Sequence, residues 1–316
     1  MTRTYSRTFG APKADFDRIY IEPDPRLYFV TLGALDYVIP DVAGPVFEQL
    51  VRARKEALGR RITVLDIGCS YGINAALLKY GLSFPMLYDR YASRRMPDLT
   101  TEEMVAYDRR FYASWPPNDD VRIIGMDSSA AAVTYAKAVG LIDDGIIADL
   151  ENDEPTAADR KLLAEVDLVI STGCVGYITE RTFEQLEACR SNGEPPWVAS
   201  FVLRMYGFKG IARVLERQGL VTEKFDGATF AQRRFADETE MRKVIAALSE
   251  GGIDTGGKES EGMFHAELYV SRPAEVVKAM PLRSKISIVS GAHRRYAQRQ
   301  TPVAAVLSLE DEGARC

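Results

Sequence analysis

The sequence predicts an α/β fold: a doubly wound, mostly parallel sheet with helices on both faces, a three-layer sandwich. Three observations predict it. Strand-like apolar runs alternate with helix-like segments along most of the 316 residues, the pattern of a parallel sheet covered by helices. The run Thr63-Val64-Leu65-Asp66-Ile67-Gly68-Cys69-Ser70-Tyr71-Gly72 carries a β-branched strand through a glycine turn into the apolar helical stretch Ile73 to Tyr80. Four successive predicted strands end in polar residues, at Asp66 with Gly68, Asp127-Ser128, Asp149-Leu150 and Ser171-Thr172-Gly173, and ligands of open α/β sheets gather at such ends.

The elements follow in order. Residues 1–46 are rich in aromatics, among them Tyr5, Phe9, Phe16, Tyr20, Tyr28, Phe29 and Tyr37, and Pro12, Pro23, Pro25 and Pro40 interrupt helix. They read as an extended arm with a short helix from about Leu32. Phe47 to Leu58 has the spacing of an amphipathic helix. After the glycine turn and its helix, Tyr88 to Asp120 is a polar, aromatic insertion whose Thr100-Thr101-Glu102-Glu103 is a helix entry. Val121 to Met126 is the second strand, Ala130 to Val139 a helix, Ile146 to Ala148 a short strand, and Val166 to Ser171 a buried strand. Helix Glu180 to Arg190, strand Trp197 to Leu203 and helix Lys209 to Gln218 follow. Met205 to Phe235 is long enough to count as a second insertion, with Thr229 to Phe235 a short strand. Asp237 caps a helix that stops at Gly251-Gly252, and Met263 to Val270 alternates as a final strand. The pattern decays after Pro273, so residues 274–316 read as an extension.

Composition narrows the function classes. Net charge is −5, which does not support a broad nucleic-acid surface. No apolar run is long enough to span a membrane, and the polar N-terminus lacks a signal-peptide core. Cys69, Cys174, Cys189 and Cys316 show no CxxC spacing, so neither a zinc site nor a disulfide framework is indicated. A reducing cytoplasm is the expected compartment. With His265 and His293 the only histidines, a histidine-rich metal centre is not expected.

The turn itself selects among ligands. Glycines allow close backbone approach, and a helix start offers free N–H groups. Gly68, Ser70 and Gly72 do not make the G-x-G-x-x-G of dinucleotide binding, and no P-loop pattern occurs. Asp66, just before the turn, would repel a phosphate and suits a ligand bearing an ammonium group.

Taken together, VLDIGCSYG, IGMDSS, IIADL, DLVISTGCVGYI and EGMFHAELYVSRP, in that order, resemble the motifs of class I S-adenosylmethionine (SAM)-dependent methyltransferases. The resemblance runs from about Phe47 to Arg272. It implies a Rossmann-like fold with an antiparallel last strand, and SAM as substrate. It also implies roles: Asp66 toward the ammonium of SAM, backbone N–H groups around Gly68, Ser70 and Gly72 toward its carboxylate, Asp127 toward the ribose hydroxyls with Ser128 beside it in the cofactor site, Asp149 and Leu150 toward the adenine, and Ser171 at the strand end that faces the methyl donor. Asp127 comes late for its role, and Asp89 is its rival by position; Asp127 follows the better strand.

Methyl transfer from a sulfonium relies on in-line orientation more than on acid–base help. Tyr177, after the fourth strand, is the residue expected at the reacting centre; core packing is its other reading. His265 lies inside the last strand and reads as structural, and Cys69 and Cys174 as small packing residues. The aromatic arm is either a lid or packing on the sheet edge. The leading expectation is a methyltransferase with a small-molecule acceptor, with no nucleic-acid or membrane partner and an unassigned oligomeric state. Two alternatives stay open. One is displacement at the aminopropyl carbon of SAM, as in azetidine-carboxylate synthases, releasing methylthioadenosine. The other is a non-catalytic SAM-binding protein.

Overall fold

The computed structural model describes residues 16–286 apart from 94, 95, 97, 191 and 192. Tyr5, Phe9 and the far C-terminal extension lie outside the described residues. Helices α1 (Asp17–Ile21), α2 (Arg26–Ala34) and α3 (Ile39–Leu58) precede strand β1 (Ile62–Ile67). Then come α4 (Ile73–Tyr80), α5 (Phe84–Tyr91), α6 (Thr101–Ala113), β2 (Val121–Asp127), α7 (Ala130–Ala138), β3 (Asp144–Ile147), α8 (Ala157–Leu163), β4 (Leu168–Thr172), α9 (Glu180–Ala188) and β5 (Trp197–Leu203). The chain continues through α10 (Lys209–Arg217), β6 (Leu220–Lys224), β7 (Phe230–Arg234), α11 (Glu238–Glu250), β8 (Met263–Pro273), α12 (Ala274–Ala279) and α13 (Leu282–Lys285).

The eight strands form one sheet, ordered β3-β2-β1-β4-β5-β8-β6, with β7 also paired to β8. Strands β1 to β5 are mutually parallel. Strand β8 is antiparallel to β5, and its other edge takes β6 along Tyr269 to Pro273 and β7 along Met263 to Ala266. Successive strand side chains enter opposite cores, as a strand's two-residue period requires. Ile62, Val64, Leu168, Ile170, Trp197, Ala199 and Phe201 join the core under α2, α3 and α4. Leu65, Ile67, Val169, Val198 and Val202 join the other, with Phe183 of α9 and Val214 of α10. Burial on both faces explains why these strands read as continuous apolar runs.

The N-terminal arm differs from its expectation. Its described part holds the two helices α1 and α2, and Ile19, Tyr28, Phe29 and Leu32 are buried in the core. Prolines 23 and 25 fall between helices. Pro40 sits in the first turn of α3, where the N–H would have no helical partner anyway. The helix therefore starts at Ile39 rather than Phe47 and carries Pro45 inside it. The residue 88–120 insertion is also largely helical. Asp108 of α6 is fully buried and accepts from Arg90, Tyr91 and Tyr135, which fastens α5 and α6 to α7. The supposed second insertion supplies β6 and β7, two strands of the sheet. The start of α3 and the turn before it clasp β7: Val38 N–H donates to the Gln232 carbonyl at 2.7 Å, and Arg234 N–H to the Leu35 carbonyl at 2.7 Å. Helix α8 had no counterpart in the sequence reading.

Candidate active site

A cavity of about 520 Å³ opens at the carboxyl ends of β1 to β4, within the range of small-molecule sites. Its floor includes Gly68, Cys69, Ser70, Asn74, Asp127, Ser128, Asp149, Leu150, Thr172 and Gly173, and Tyr177 stands at its wall. Phe16, Tyr20, Tyr28 and Tyr37 close it from the N-terminal segment, and Gln232 and Arg233 from β7.

The glycine turn is built for close approach. Gly68 has φ +71°, and a Cβ there would stand 2.8 Å from Cys174 Cβ. Only glycine lets β1's turn meet the loop after β4 without displacement. The N–H groups of Gly68 and Cys69 both donate to the Met126 carbonyl, that of Ser70 to Asp127 Oδ2 at 2.9 Å, and that of Gly72 to the Cys69 carbonyl. These four donors are occupied within the protein, so the expected hold on a ligand carboxylate does not come from them. Gly72 caps α4 with its Cα packed toward Leu141 and Ala136, outside the cavity lining.

Asp127 does line the cavity. Its Oδ1 accepts from Ser129 N–H and its Oδ2 from Ser70 N–H, both at 2.9 Å. Two anchored oxygens, each with a further lone pair, can accept from a vicinal diol. Burial raises its carboxyl above the ordinary aspartate value, opposed by N–H groups from Ser129, Ser70 and Ser128. Asp89, the rival, is exposed on α5 and absent from the lining.

Asp66 occupies a different place. It is fully buried beneath the floor rather than lining it. Its Oδ1 accepts from Asn74 Nδ2 at 2.9 Å, while its Oδ2 has no hydrogen-bond partner. Burial pushes the carboxyl up to about 7, against the pull of the Asn74 hydrogen bond. Asn74, on α4, lines the cavity and also donates to Thr172 Oγ1 at 3.1 Å. Asn74, not Asp66, thus presents its side chain to the cavity, with Asp66 behind it. Ser171 is buried too; its hydroxyl donates to Ser200 Oγ at 3.0 Å across β4 and β5, away from the lining.

In the loop after β3, Asp149 accepts from Glu151 N–H and from Asn152 Nδ2. The Leu150 side chain is buried in the second core. Glu151 accepts from the N–H and hydroxyl of both Thr179 and Thr182, tying this loop to the start of α9. Tyr177 is 48% exposed at the cavity wall, with its N–H on the Cys174 carbonyl.

The roof is clamped by the site's own residues. The Tyr71 hydroxyl, from the glycine motif, reaches the Ile19 carbonyl at 3.0 Å and the Glu22 carbonyl at 2.8 Å. Ser129 Oγ donates to the Tyr20 carbonyl. Tyr28 stands edge-on to Tyr20, Tyr37 and Tyr71. Burial raises the Tyr20 and Tyr37 phenols, the latter to about 12, so neither is an available base. Burial likewise raises the Cys174 thiol to about 12. His265 is outside the lining; its Nδ1 pairs with Thr229 Oγ1 at 3.0 Å, and desolvation, with Arg204 and Lys258 adding to it, lowers it to about 4. Arg233, the one Lys or Arg in the lining among the described residues, is paired with Glu240 at 2.7 and 3.0 Å. Asn74 carried a sequence signal, a lone amide in an apolar helix two residues past Gly72. Gln232 and Arg233 carried none.

The strand order, the antiparallel closing strand and a cavity at the carboxyl ends of the parallel strands define the fold of class I SAM-dependent methyltransferases. No protein-family model matches the chain, and no curated protein matches it in sequence. Among solved structures it is similar to the plantazolicin methyltransferase BamL in complex with a triazolic desmethylPZN analog and SAH, at 14% identity over 73% of this chain and 85% of that one, TM-score 0.35. A TehB-like SAM-dependent methyltransferase from Corynebacterium glutamicum is 15% identical over 71% and 87%, TM-score 0.32. The [4+2]-cyclase SpnF is 11% identical over 72% and 80%, TM-score 0.34.

Proposed function

We propose that this protein is a SAM-dependent methyltransferase acting on a small-molecule acceptor. The observation that carries the reading is Asp127: a carboxylate at the end of β2, held on both oxygens by backbone N–H groups and facing the cavity, where a ribose diol would be taken. Asp149 and Leu150 would flank the adenine. A sulfonium would lie among electron-rich rings, Tyr20, Tyr28, Tyr37 and Tyr177, which favour a cation over their faces. The acceptor nucleophile attacks the methyl carbon in line with the C–S bond. That bond's electron pair stays on sulfur, giving S-adenosylhomocysteine, and any proton on the acceptor passes to solvent. The chain's part is orientation and exclusion of water. With the lining rich in carboxylates and Arg233 already matched by Glu240, a neutral or cationic acceptor is favoured over a phosphate or carboxylate.

Calorimetry tests the reading first. SAM should bind, and Asp127→Ala should weaken it by about 1.5–3 kcal/mol, the worth of a hydrogen bond to a charged group. No binding by the parent would end the assignment. A second reading, displacement within SAM that releases methylthioadenosine, is favoured by the modest cavity, which then needs no second substrate. Mass analysis of products separates the two: S-adenosylhomocysteine means methyl transfer, methylthioadenosine the internal reaction.

A further inference from the structure

At the end of the sheet opposite the cavity, three side chains meet that the proposed reaction does not use. Trp197 is the first residue of β5, and its ring lies in the core under α3. Arg272, two residues beyond Val270 on β8, faces the same core. Arg54 reaches the ring from α3. The guanidinium carbons of Arg54 and Arg272 stand 5.2 and 5.7 Å from the centre of the Trp197 ring. All three side chains are buried, Arg272 completely, and none lines the cavity.

Four N–H donors of this cluster have no hydrogen-bond partner: Arg54 Nε, Arg272 Nε and Nη1, and Trp197 Nε1. Guanidinium and indole nitrogens donate only, and a buried donor without a partner is costly and calls for an explanation. The charge is unevenly matched as well. Arg272 Nη2 donates to Glu223, but that carboxylate is shared, since its other oxygen accepts from Leu282 N–H of α13 at 3.0 Å. Arg54 is bonded to Glu194 through Nη1 alone, at 3.0 Å, and the Glu194 side chain is 68% exposed. Water screens an exposed carboxylate, so it compensates a buried guanidinium poorly. Two buried positive charges therefore face one carboxylate of the interior, with four N–H groups left over. Water would satisfy the hydrogen bonds but not the charge. An anion with several acceptor oxygens satisfies both.

We infer that Arg54, Trp197 and Arg272 form a binding site for a small oxyanion, of the chemistry of inorganic phosphate or sulfate, separate from the cavity and independent of its reading as a SAM site. Burial of all three side chains limits the occupant to a few atoms. Glu194 marks the entrance. It lies in the loop before β5, and outward rotation of its side chain uncovers Arg54 to solvent. Its carboxylate holds Arg54 until the oxyanion takes its place. The occupied site ties α3, β5 and β8 together at the amino end of the parallel strands.

The test uses a reporter inside the site. Trp197 is one of two tryptophans, so Trp115→Phe isolates its emission. Sodium phosphate and sodium sulfate are titrated into this protein against sodium chloride at equal ionic strength. Each oxyanion should change the Trp197 emission saturably and raise Tm with concentration, as a ligand of the folded state does. Arg54→Met and Arg272→Met should each abolish the saturable change, with circular dichroism reporting the fold. Glu194→Gln, a surface change, removes the competing carboxylate and should tighten oxyanion binding by up to about fivefold, the worth of an exposed ion pair. Three results overturn the inference. One is emission and Tm that respond to phosphate and sulfate no differently from chloride, which would leave the four donors to water. Another is a saturable response that survives both arginine substitutions. The third is weaker oxyanion binding by Glu194→Gln than by the protein that keeps Glu194. The first and third need no arginine variant, so they hold even if those variants fail to fold.

Discussion

Asp66 and Asp127 end adjacent strands, yet their surroundings give them opposite tasks. Asp127 is held by backbone N–H groups at the cavity surface, whereas Asp66 lies under Asn74 with one oxygen unpaired. The Asp66 carboxyl stands at about 7 in the fold against 3.8 as reference. The folded state therefore keeps a proton that the unfolded chain loses first. Its contribution to stability is present below about pH 4 and is lost as pH rises to about 7, an effect of roughly 4 kcal/mol. Asp127 is shifted in the same direction, so the comparison is with the parent. Asp66→Asn should flatten the fall in urea-denaturation stability across this window; an unchanged profile would mean that Asp66 is ionised throughout. Tyr177 is the other residue-scale prediction. Its ring can stabilise a nearby cation by roughly 0.5–2 kcal/mol, so Tyr177→Ala should lower turnover at saturating SAM, while Tyr177→Phe reports on the hydroxyl alone. Full activity in the alanine variant would make it a wall residue only.

Among the elements, α1 shows how the glycine motif does more than shape a turn. Tyr71 sits between two motif residues, yet its hydroxyl is engaged with carbonyls at the end of α1. The roof over the cavity is thus fastened by a residue of its floor. Tyr71→Phe should remove about 1 kcal/mol and speed amide exchange in residues 16–34 more than in the sheet. Uniform exchange rates would show that aromatic packing alone holds α1. The same clamp makes the arm part of the site's wall, a role for which its rings and prolines gave a hint but no geometry.

Across the whole molecule, β7 and α11 are joined by a buried ion pair. Arg233 and Glu240 are each almost wholly buried and doubly bonded, with the guanidinium also 4.6 Å from the Phe264 ring and 5.0 Å from that of Phe16. Removing one partner leaves an uncompensated buried charge. Glu240→Ala should therefore cost about 3–5 kcal/mol, seen as a large fall in Tm, while Arg233→Met with Glu240→Leu should recover most of it. Equal Tm losses in the single and double variants would argue that the pair is no more than packing. Because Arg233 follows Gln232, this pair also fixes the strand that walls the cavity.

The sequence by itself determined the layer order, the five parallel strands within a residue or two, the glycine turn, and the clustering of Gly68, Ser70, Asp127, Ser128, Asp149, Leu150 and Tyr177 around one cavity. Each of these depends on local periodicity or on the rule that βα turns fall at one edge of a parallel sheet. Tertiary structure alone decided the rest. Asp66 and Ser171 lie on the motif but point into packing or neighbouring strands, and Gly72 lies outside the lining at the start of α4, because which side of a strand end is covered depends on α3, α4 and β5. Gln232 and Arg233 reach the site from a strand more than 100 residues from the glycine motif in sequence, by pairing with β8 and with the turn before α3. The arm reads as irregular because its prolines interrupt local helix, but Pro23, Pro25 and Pro40 fall between helices or in a first turn, and burial of Tyr28, Phe29 and Leu32 against the sheet supplies what local propensity lacks.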